Sequence, residues 1–136
     1  MTYFIEPVAF VKNNRKEILD DHWGSIISTI ELAENIDESS LKGIEEFSHL
    51  EIIFYFNKVE DNKIQYEARH PRNNPDFPLV GIFAQRGKNR QLLVEGLDAI
   101  DGTPIIDIKP VMNEFLPKEK VKQPNWSTIL MENYWE

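Results

Sequence analysis

The sequence contains no cysteine among its 136 residues. This absence excludes disulfides, thiolate zinc sites and cysteine nucleophiles. No apolar run approaches the ~20 residues that a membrane-spanning helix needs, and no basic region precedes the apolar N-terminal residues, as it would in a signal peptide. We therefore expect a cytoplasmic protein. The length and the 41% of hydrophobic residues predict one globular domain with a core of its own.

Several chemical signatures are also missing. The motifs G-x-S-x-G, H-E-x-x-H, the P-loop and G-x-G-x-x-G do not occur, so hydrolase, NTPase and dinucleotide-binding interpretations lack their anchors. The three histidines, His22, His49 and His70, are scattered without i, i+4 pairing, which makes a poor metal site. We predict no metal and identify no general base.

Positive charge is scarce. The formal net charge of −8 argues against a general nucleic-acid binder held mainly by phosphate contacts, although an acidic protein can carry a local basic patch. The stretches EARHPRNNPDF and AQRGKNR concentrate basic residues in the middle of the chain: Arg69, Arg72, Arg86, Lys88 and Arg90. This cluster is the only electrostatic indication of an anionic partner.

The periodicity that is present is mostly that of strands. It predicts strands over residues 4–11, 25–32, 50–56, 64–68, 79–85, 92–97 and 104–109. The nearly all-apolar segment 50–56 is expected to be covered on both faces. Short strands separated by turn signals predict a sandwich or a closed barrel. Helix is limited to a short turn in DESSLKGIEEF, with Asp37 or Ser39 as its N-cap.

The composition changes after Pro124. Trp126, Ile129, Leu130 and Tyr134 fall at roughly helical spacing. We expect this apolar stripe to dock on the body of the protein or on a second subunit, rather than to bind a cofactor.

The stretch LDAIDGTPIIDIKP, residues 97–110, keeps Asp98, Asp101 and Asp107 among aliphatic residues. An acid is costly to bury alone. One explanation is turn chemistry, because Asp-Gly is a common hairpin tip. The other is a loop that presents oxygen acceptors and backbone groups to a ligand. The spacing alone leaves both explanations open.

Four segments, GIEEFSHLEIIFYF, RHPR, VGIFAQRGKNR and LDAIDGTPIIDIKP, occur in the order and spacing of the TsaA-like family. The sequence resembles this family of β-barrel tRNA methyltransferases, which act on threonylcarbamoyl-adenosine next to the anticodon, over residues 4–116. The resemblance implies a mainly β, single-sheeted closed barrel with short helical turns over residues 1–117, followed by the tail of residues 118–136. It further implies S-adenosylmethionine as cofactor, tRNA as substrate, and a homodimer with the cofactor near the subunit interface.

The resemblance also implies particular site residues. Arg86 and Arg90 match two arginines of a basic loop, and the segment from Asp98 to Pro104 matches a D-x-x-D-G-T-P element. Asn57 and Lys58 stand where the family often has His-Gln. The implied cofactor-binding residues are Asp21, His22, Trp23, Asn57, Lys58, Arg86, Arg90, Asp98, Asp101, Gly102, Thr103 and Pro104. The implied tRNA-binding residues are Arg69, His70, Arg72 and Lys88.

The sequence departs from the family's pattern at one place, and two other functions stay open. After the second arginine the family continues with a Pro-Asn-Pro-Ile-Gly segment and most of a hairpin, whereas Arg90 runs straight into QLLVEGLDAI. We favour the interpretation that a stretch has been omitted there, because losing strands from a closed barrel breaks its register. The alternative functions are a methyltransferase for a different small acceptor, and a dimeric module that binds the cofactor or a nucleoside without catalysis.

Overall fold

The computed structural model describes residues 1–59, 66–69 and 90–136. Six strands within these residues form one antiparallel sheet, in the order β4-β3-β6-β1-β2-β5. The strands are β1 (Ala9–Lys12), β2 (Ile27–Leu32), β3 (Leu50–Tyr55), β4 (Tyr66–Arg69), β5 (Gln91–Glu95) and β6 (Pro104–Pro110). Short 3-10 turns span Glu38–Leu41, Ile44–Glu46 and Asn113–Phe115, and one helix, α1, spans Asn125–Leu130.

The mainly β fold is confirmed, but the described strands do not form the predicted closed barrel. β4 and β5 are the two edges of the sheet and do not pair with each other, so the sheet formed by these residues is open. The predicted strand over residues 79–85 lies outside the described residues. No helix in the described ranges is long and apolar enough to cross a membrane.

The core lies on one face of the sheet. Alternate side chains of β1, β2, β3 and β5 are buried, for example Val11, Ile30, Ile52 and Leu92, as the two-residue period of a strand requires. β6 adds Ile105 to the same core. The expectation that residues 50–56 are covered on both faces is wrong. In β3 buried residues alternate with half-buried ones, because the second face of the sheet is only partly covered.

The first strand starts later than the sequence predicts. It begins at Ala9 and not at residue 4. Tyr3 and Phe4 are exposed, and Pro7 has no N–H to donate to a ladder. The correction is therefore explained by the proline and by the absence of packing on the two aromatic side chains.

The fifth strand follows the basic segment of the chain directly. Arg90 precedes β5, whose Gln91 pairs with Glu31 of β2. The interpretation that a stretch is omitted after Arg90 stays a hypothesis, because residues 70–89 lie outside the described ranges and the sheet is open at β5.

The connections gather at two ends of the sheet because neighbouring strands are antiparallel. We call the end where β1 finishes and β6 begins the loop end; it comprises residues 13–24 and 96–103. We call the opposite end the turn end; it comprises residues 33–49 and Arg90.

The turn end is built from local hydrogen bonds. Asp37 is the N-cap of the first 3-10 turn, and its carboxylate accepts a hydrogen bond from the Ser39 backbone N–H at 2.8 Å. The prediction of a short capped turn is thus confirmed, with Asp37 in the capping role. Hydrogen bonds from the Ser39 side chain and backbone lower the pKa of Asp37, since they favour its charged form.

Most of the apolar stripe of the tail is not covered within the chain. Trp126, Ile129 and Leu130 of α1 are exposed, whereas Tyr134 is 5% exposed. The helix begins after Pro124, whose carbonyl accepts a 2.7 Å hydrogen bond from the Ser127 hydroxyl. The last residues of the tail lie against the loop end.

Candidate functional site

Asn13 is the centre of the hydrogen bonds at the loop end. Its side-chain amide donates to the buried hydroxyl oxygen of Ser28 and to the Ala99 carbonyl, at 2.8 Å in each case. Its carbonyl oxygen accepts from the Arg15 backbone N–H at 3.0 Å. Because Ser28 lies in β2 and Ala99 precedes β6, one side chain joins three separate segments.

Asp101 is the acid of residues 97–110 that is anchored from two sides. One carboxylate oxygen accepts from the Asn13 backbone N–H at 3.0 Å, and the other accepts from the Lys16 ammonium. These two hydrogen bonds, that from Lys16 first, hold the pKa of Asp101 below its ordinary value and outweigh the opposing effect of burial. The side chain keeps 24% of its surface exposed, so a charged carboxylate is both anchored and accessible.

The residues that follow Asp101 shape the loop from its backbone. Gly102 has φ of +83° and donates its N–H to the Val11 carbonyl at 2.7 Å. A left-handed backbone favours glycine, and a Cβ at this position would meet nothing within 4 Å. The hydroxyl of buried Thr103 donates to the Ile100 carbonyl at 2.6 Å, while Pro104 opens β6. The backbone at Gly102 is therefore open to a ligand, whereas Thr103 and Pro104 serve the fold.

Arg15 holds the neighbouring loop of residues 21–23. Its guanidinium donates to the His22 carbonyl at 2.9 Å and to the Asp21 carbonyl at 3.0 Å, and lies 4.2 Å from the centre of the Trp23 ring. Trp23 is 2% exposed and donates its indole N–H to the Leu19 carbonyl at 3.1 Å. The Trp23 ring therefore packs inside the fold. The His22 side chain is exposed, and the backbone of His22 is left-handed, with φ of +65°.

The C-terminal segment of residues 133–135 covers the same loop from the other side. The backbone N–H groups of His22 and Trp23 donate to the carbonyls of Asn133 and Tyr134, at 3.0 and 2.8 Å. These two hydrogen bonds tie the end of the tail to the loop end.

Two glycines permit that close approach. A Cβ on Gly24 would lie 1.9 Å from the Trp135 carbonyl oxygen, and one on Gly96 would lie 2.9 Å from the Trp135 ring. Gly96 also has φ of +80°. Any larger residue at position 24 would displace the backbone of the tail.

The structure brings most of the predicted cofactor residues to the loop end and separates one from them. Asn57 and Lys58 are exposed and follow β3, which also finishes at this end. Arg90 lies at the turn end, where its guanidinium donates to the Ala33 carbonyl. Asp21, His22, Trp23, Asp98, Asp101, Gly102, Thr103 and Pro104 are all at the loop end.

Of the predicted tRNA-binding residues, only Arg69 is among the residues that the structure describes. Arg69 ends β4, opposite Ile52 of β3. His70, Arg72 and Lys88 lie outside the described residues, as does Arg86 of the predicted cofactor set. In the ranges that are described, no group of three acidic or histidine side chains is arranged to hold a metal ion.

Sequence reasoning missed Asn13, Arg15, Lys16 and Ser28. The stretch KNNRK directly after a strand is a signal for a turn whose Asn side chain bonds the backbone. Nothing local indicates that this turn meets Asp101, because the two are 88 positions apart.

The loop end has the donor and acceptor set that a nucleoside cofactor with a positive centre requires. Asp101 offers an accessible carboxylate that can accept from ribose hydroxyls or an ammonium group, and the half-buried Asp98 lies in the same loop. The backbone beside Gly102 is open to close approach, since glycine has no Cβ. An acidic loop also favours a cationic sulfonium. The residues present therefore fit S-adenosylmethionine.

Two known proteins are similar to this chain in sequence. A Pseudomonas aeruginosa protein named provisionally as an S-adenosylmethionine-dependent methyltransferase is 27% identical over 81% of this chain and 57% of its own length. The human tRNA (adenine(37)-N6)-methyltransferase is 31% identical over 66% of this chain and 24% of its own. The chain therefore spans between a quarter and about three fifths of the length of these relatives.

The crystal structure of TrmO from Pseudomonas aeruginosa has a similar fold, with a TM-score of 0.66 and 19% identity over 93% of this chain and 62% of that one. The family model of the tRNA-methyltransferase O N-terminal domain matches residues 20–92, more than half of the chain. This chain belongs to the tRNA-methyltransferase O N-terminal domain family.

Proposed function

We propose that this chain binds S-adenosylmethionine at the loop end and transfers its methyl group to the exocyclic N6 of an adenine next to the anticodon of tRNA. The family match over residues 20–92 carries this proposal. Two relatives support it, one named as a methyltransferase that uses this cofactor and one as an enzyme that modifies adenine 37 of tRNA. The accessible, charged carboxylate of Asp101 adds a chemical reason for the loop end.

The roles of the residues follow from their chemistry. The cofactor, when bound, supplies an activated methyl group, so the protein needs to align the acceptor and exclude water. Asp101 and Asp98 accept hydrogen bonds from the ribose or the amino group of the cofactor. The open backbone at Gly102 allows the adenine to approach closely. Asp21 and His22 border the cofactor with their side chains.

The proposed homodimer provides a role for Arg90. Within one chain its guanidinium lies at the turn end, bonded to the Ala33 carbonyl, away from the other proposed cofactor residues. A symmetric dimer could bring Arg90 of one copy to the loop end of the other, where its fork of N–H groups would bind the cofactor carboxylate. Sedimentation at micromolar concentration should then give twice the chain mass of 15.9 kDa.

The proposed acceptor already carries the threonylcarbamoyl group, and the basic cluster of the middle segment would hold the RNA. Because the chain has a net charge of −8, attraction to tRNA must come from a local patch that includes Arg69, Arg72 and Lys88. Removing one basic side chain that binds a phosphate should lower the salt slope of binding by about 0.7–0.9. Arg72→Ala and Lys88→Ala should therefore weaken tRNA binding and leave cofactor affinity unchanged.

The decisive experiment is transfer of a labelled methyl group. Wild-type protein, Asp101→Ala and Asp107→Ala are incubated with methyl-labelled S-adenosylmethionine and tRNA, prepared with and without the threonylcarbamoyl group. We expect labelled N6 only in the modified tRNA, loss of transfer in Asp101→Ala, and wild-type transfer in Asp107→Ala. Labelling of unmodified tRNA would show that the acceptor is an adenine without the threonylcarbamoyl group. Cofactor binding without any transfer would favour the non-catalytic binding module.

A further inference from the structure

We infer that Arg15 and the C-terminal segment of residues 133–135 together fix the conformation of the loop of residues 21–23, and that this conformation sets the affinity for S-adenosylmethionine. Arg15 is then a positioning residue, acting through the loop and not by touching the cofactor. The inference rests on the proposed function, because it assigns the loop to the cofactor site.

From inside the fold, the Arg15 guanidinium binds carbonyl groups of the loop. One guanidinium nitrogen donates to His22 and another to Asp21, at 2.9 and 3.0 Å, and the guanidinium lies over the buried Trp23 ring. A lysine keeps the charge but has no planar fork with which to donate to two carbonyls in fixed directions. Arginine is therefore specifically suited to this position.

From outside, the tail binds the same loop by its N–H groups. His22 and Trp23 donate to the carbonyls of Asn133 and Tyr134, and Trp135 lies against Gly24 so closely that a Cβ there would overlap its carbonyl oxygen. Tyr134 is buried, so the last residues of the tail have a packed anchor. The loop is held between two independent sets of contacts.

This arrangement decides what the loop can offer to a ligand. Its N–H groups at His22 and Trp23 and its carbonyls at Asp21 and His22 are already bonded within the chain. The Trp23 ring is buried. Of the three side chains of the loop, the half-buried Asp21 and the exposed His22 are left to face a ligand.

Arg15 also links this loop to residues 99–101, the other loop that borders the proposed cofactor site. Its carbonyl accepts the Asp101 backbone N–H at 2.8 Å, and its own N–H donates to the Asn13 side chain that anchors Ala99. A displacement of Arg15 would therefore move both loops.

The first measurement is hydrogen exchange of the His22 and Trp23 amides in the full chain. Gly24→Ala places a methyl group where the tail backbone lies, and Arg15→Lys removes the fork. We expect faster exchange of both amides in each variant. Ser48→Ala is the control, because it removes only an exposed hydrogen bond with His49 at the turn end; it should leave these amides unchanged. Wild-type exchange in Gly24→Ala and Arg15→Lys would overturn the loop-holding half of the inference.

The second measurement is calorimetric binding of S-adenosylmethionine to the same proteins. We expect the dissociation constant to rise about tenfold, close to 1.4 kcal/mol, in Gly24→Ala and Arg15→Lys, and to stay at the wild-type value in Ser48→Ala. Turnover at saturating cofactor should change little. Faster exchange with an unchanged dissociation constant would overturn the inference and leave the proposed function intact. Wild-type protein that binds no cofactor would overturn the proposed function and the affinity half of the inference, while exchange alone would still decide whether the loop is held.

Discussion

The two ends of the sheet are built in different ways. At the loop end, side-chain hydrogen bonds join residues far apart in sequence: Asn13 to Asp101, 88 positions away, and Asn13 to Ala99, 86 positions away. At the turn end, Asp37 bonds a residue two positions on, while Arg90 donates to the Ala33 carbonyl and Val111 donates its backbone N–H to the His49 carbonyl. The shape of the loop end therefore depends on the whole fold, while the turn end is largely made by its own short segment.

The largest expected effect tests whether the loop end is anchored by its aromatic residue. Trp23→Ala removes a side chain that is 2% exposed and should cost about 3–5 kcal/mol of unfolding free energy. Trp126→Ala is the matched control, since that ring is 66% exposed and its removal should cost less than about 0.5 kcal/mol. Denaturant unfolding measures both. Equal losses would show that the two tryptophans are equally buried and would remove the contrast.

A second prediction concerns the hydrogen bonds of Asn13. Asn13→Ala leaves the buried Ser28 hydroxyl and the Ala99 carbonyl without their donor, which should cost about 1–3 kcal/mol. Ser48→Ala removes the exposed 2.9 Å hydrogen bond with His49 at the turn end and should cost less than about 0.5 kcal/mol. Chemical denaturation of both variants compares the two ends directly. A larger loss for Ser48→Ala would reverse the comparison.

Acid should weaken the loop end through Asp101. Its pKa is lowered in the folded protein by Lys16 and Asn13, so it adds stability that is present above the ordinary carboxyl pKa and is lost as the pH falls through the folded value. The contribution should be about 1 kcal/mol. Thermal unfolding of wild type and Asp101→Asn between pH 7 and pH 2 should show the difference at neutral pH and convergence in acid. Parallel curves would contradict the assignment.

The smallest effect is expected at the third aspartate of the stretch. Asp107 pairs with Lys109 at 3.4 Å, and both side chains are about half exposed. Such a pair contributes about 0–1 kcal/mol, so Asp107→Ala should leave both unfolding free energy and cofactor affinity near the wild-type values. A loss as large as that of Asn13→Ala would mean that Asp107 belongs to a network like that of Asp101.

The strands and the capped turn could be predicted from the sequence because their signals are local. The run of apolar, β-branched and aromatic residues in LEIIFY and the Asp-x-Ser pattern at Asp37 act over a few positions. Sheet closure depends on pairing between edge strands, and the burial of each face of β3 depends on the segments that pack on the sheet. Neither property can be predicted from the residues of one strand alone.

The candidate site divides in the same manner. The D-x-x-D-G-T-P element identified Asp101 and Gly102, and the structure shows both at the loop end. Arg15 and the tail carbonyls were not predictable, because an arginine in a polar turn gives no sign of which distant carbonyls it will meet. Arg90 was grouped with Asp101 by motif, yet lies at the turn end within one chain.

Binding of the cofactor at the loop end can be tested by a titration followed through the backbone amide resonances. S-adenosylmethionine is added stepwise to isotope-labelled protein, with adenosine as a parallel titration to separate the nucleoside from the methionine part. We predict that the largest shifts fall in residues 13–24 and 97–103, with His22, Asp101 and Gly102 among them, and that residues 33–47 move little. Shifts centred on residues 33–47, or none at all at saturating cofactor, would contradict the account.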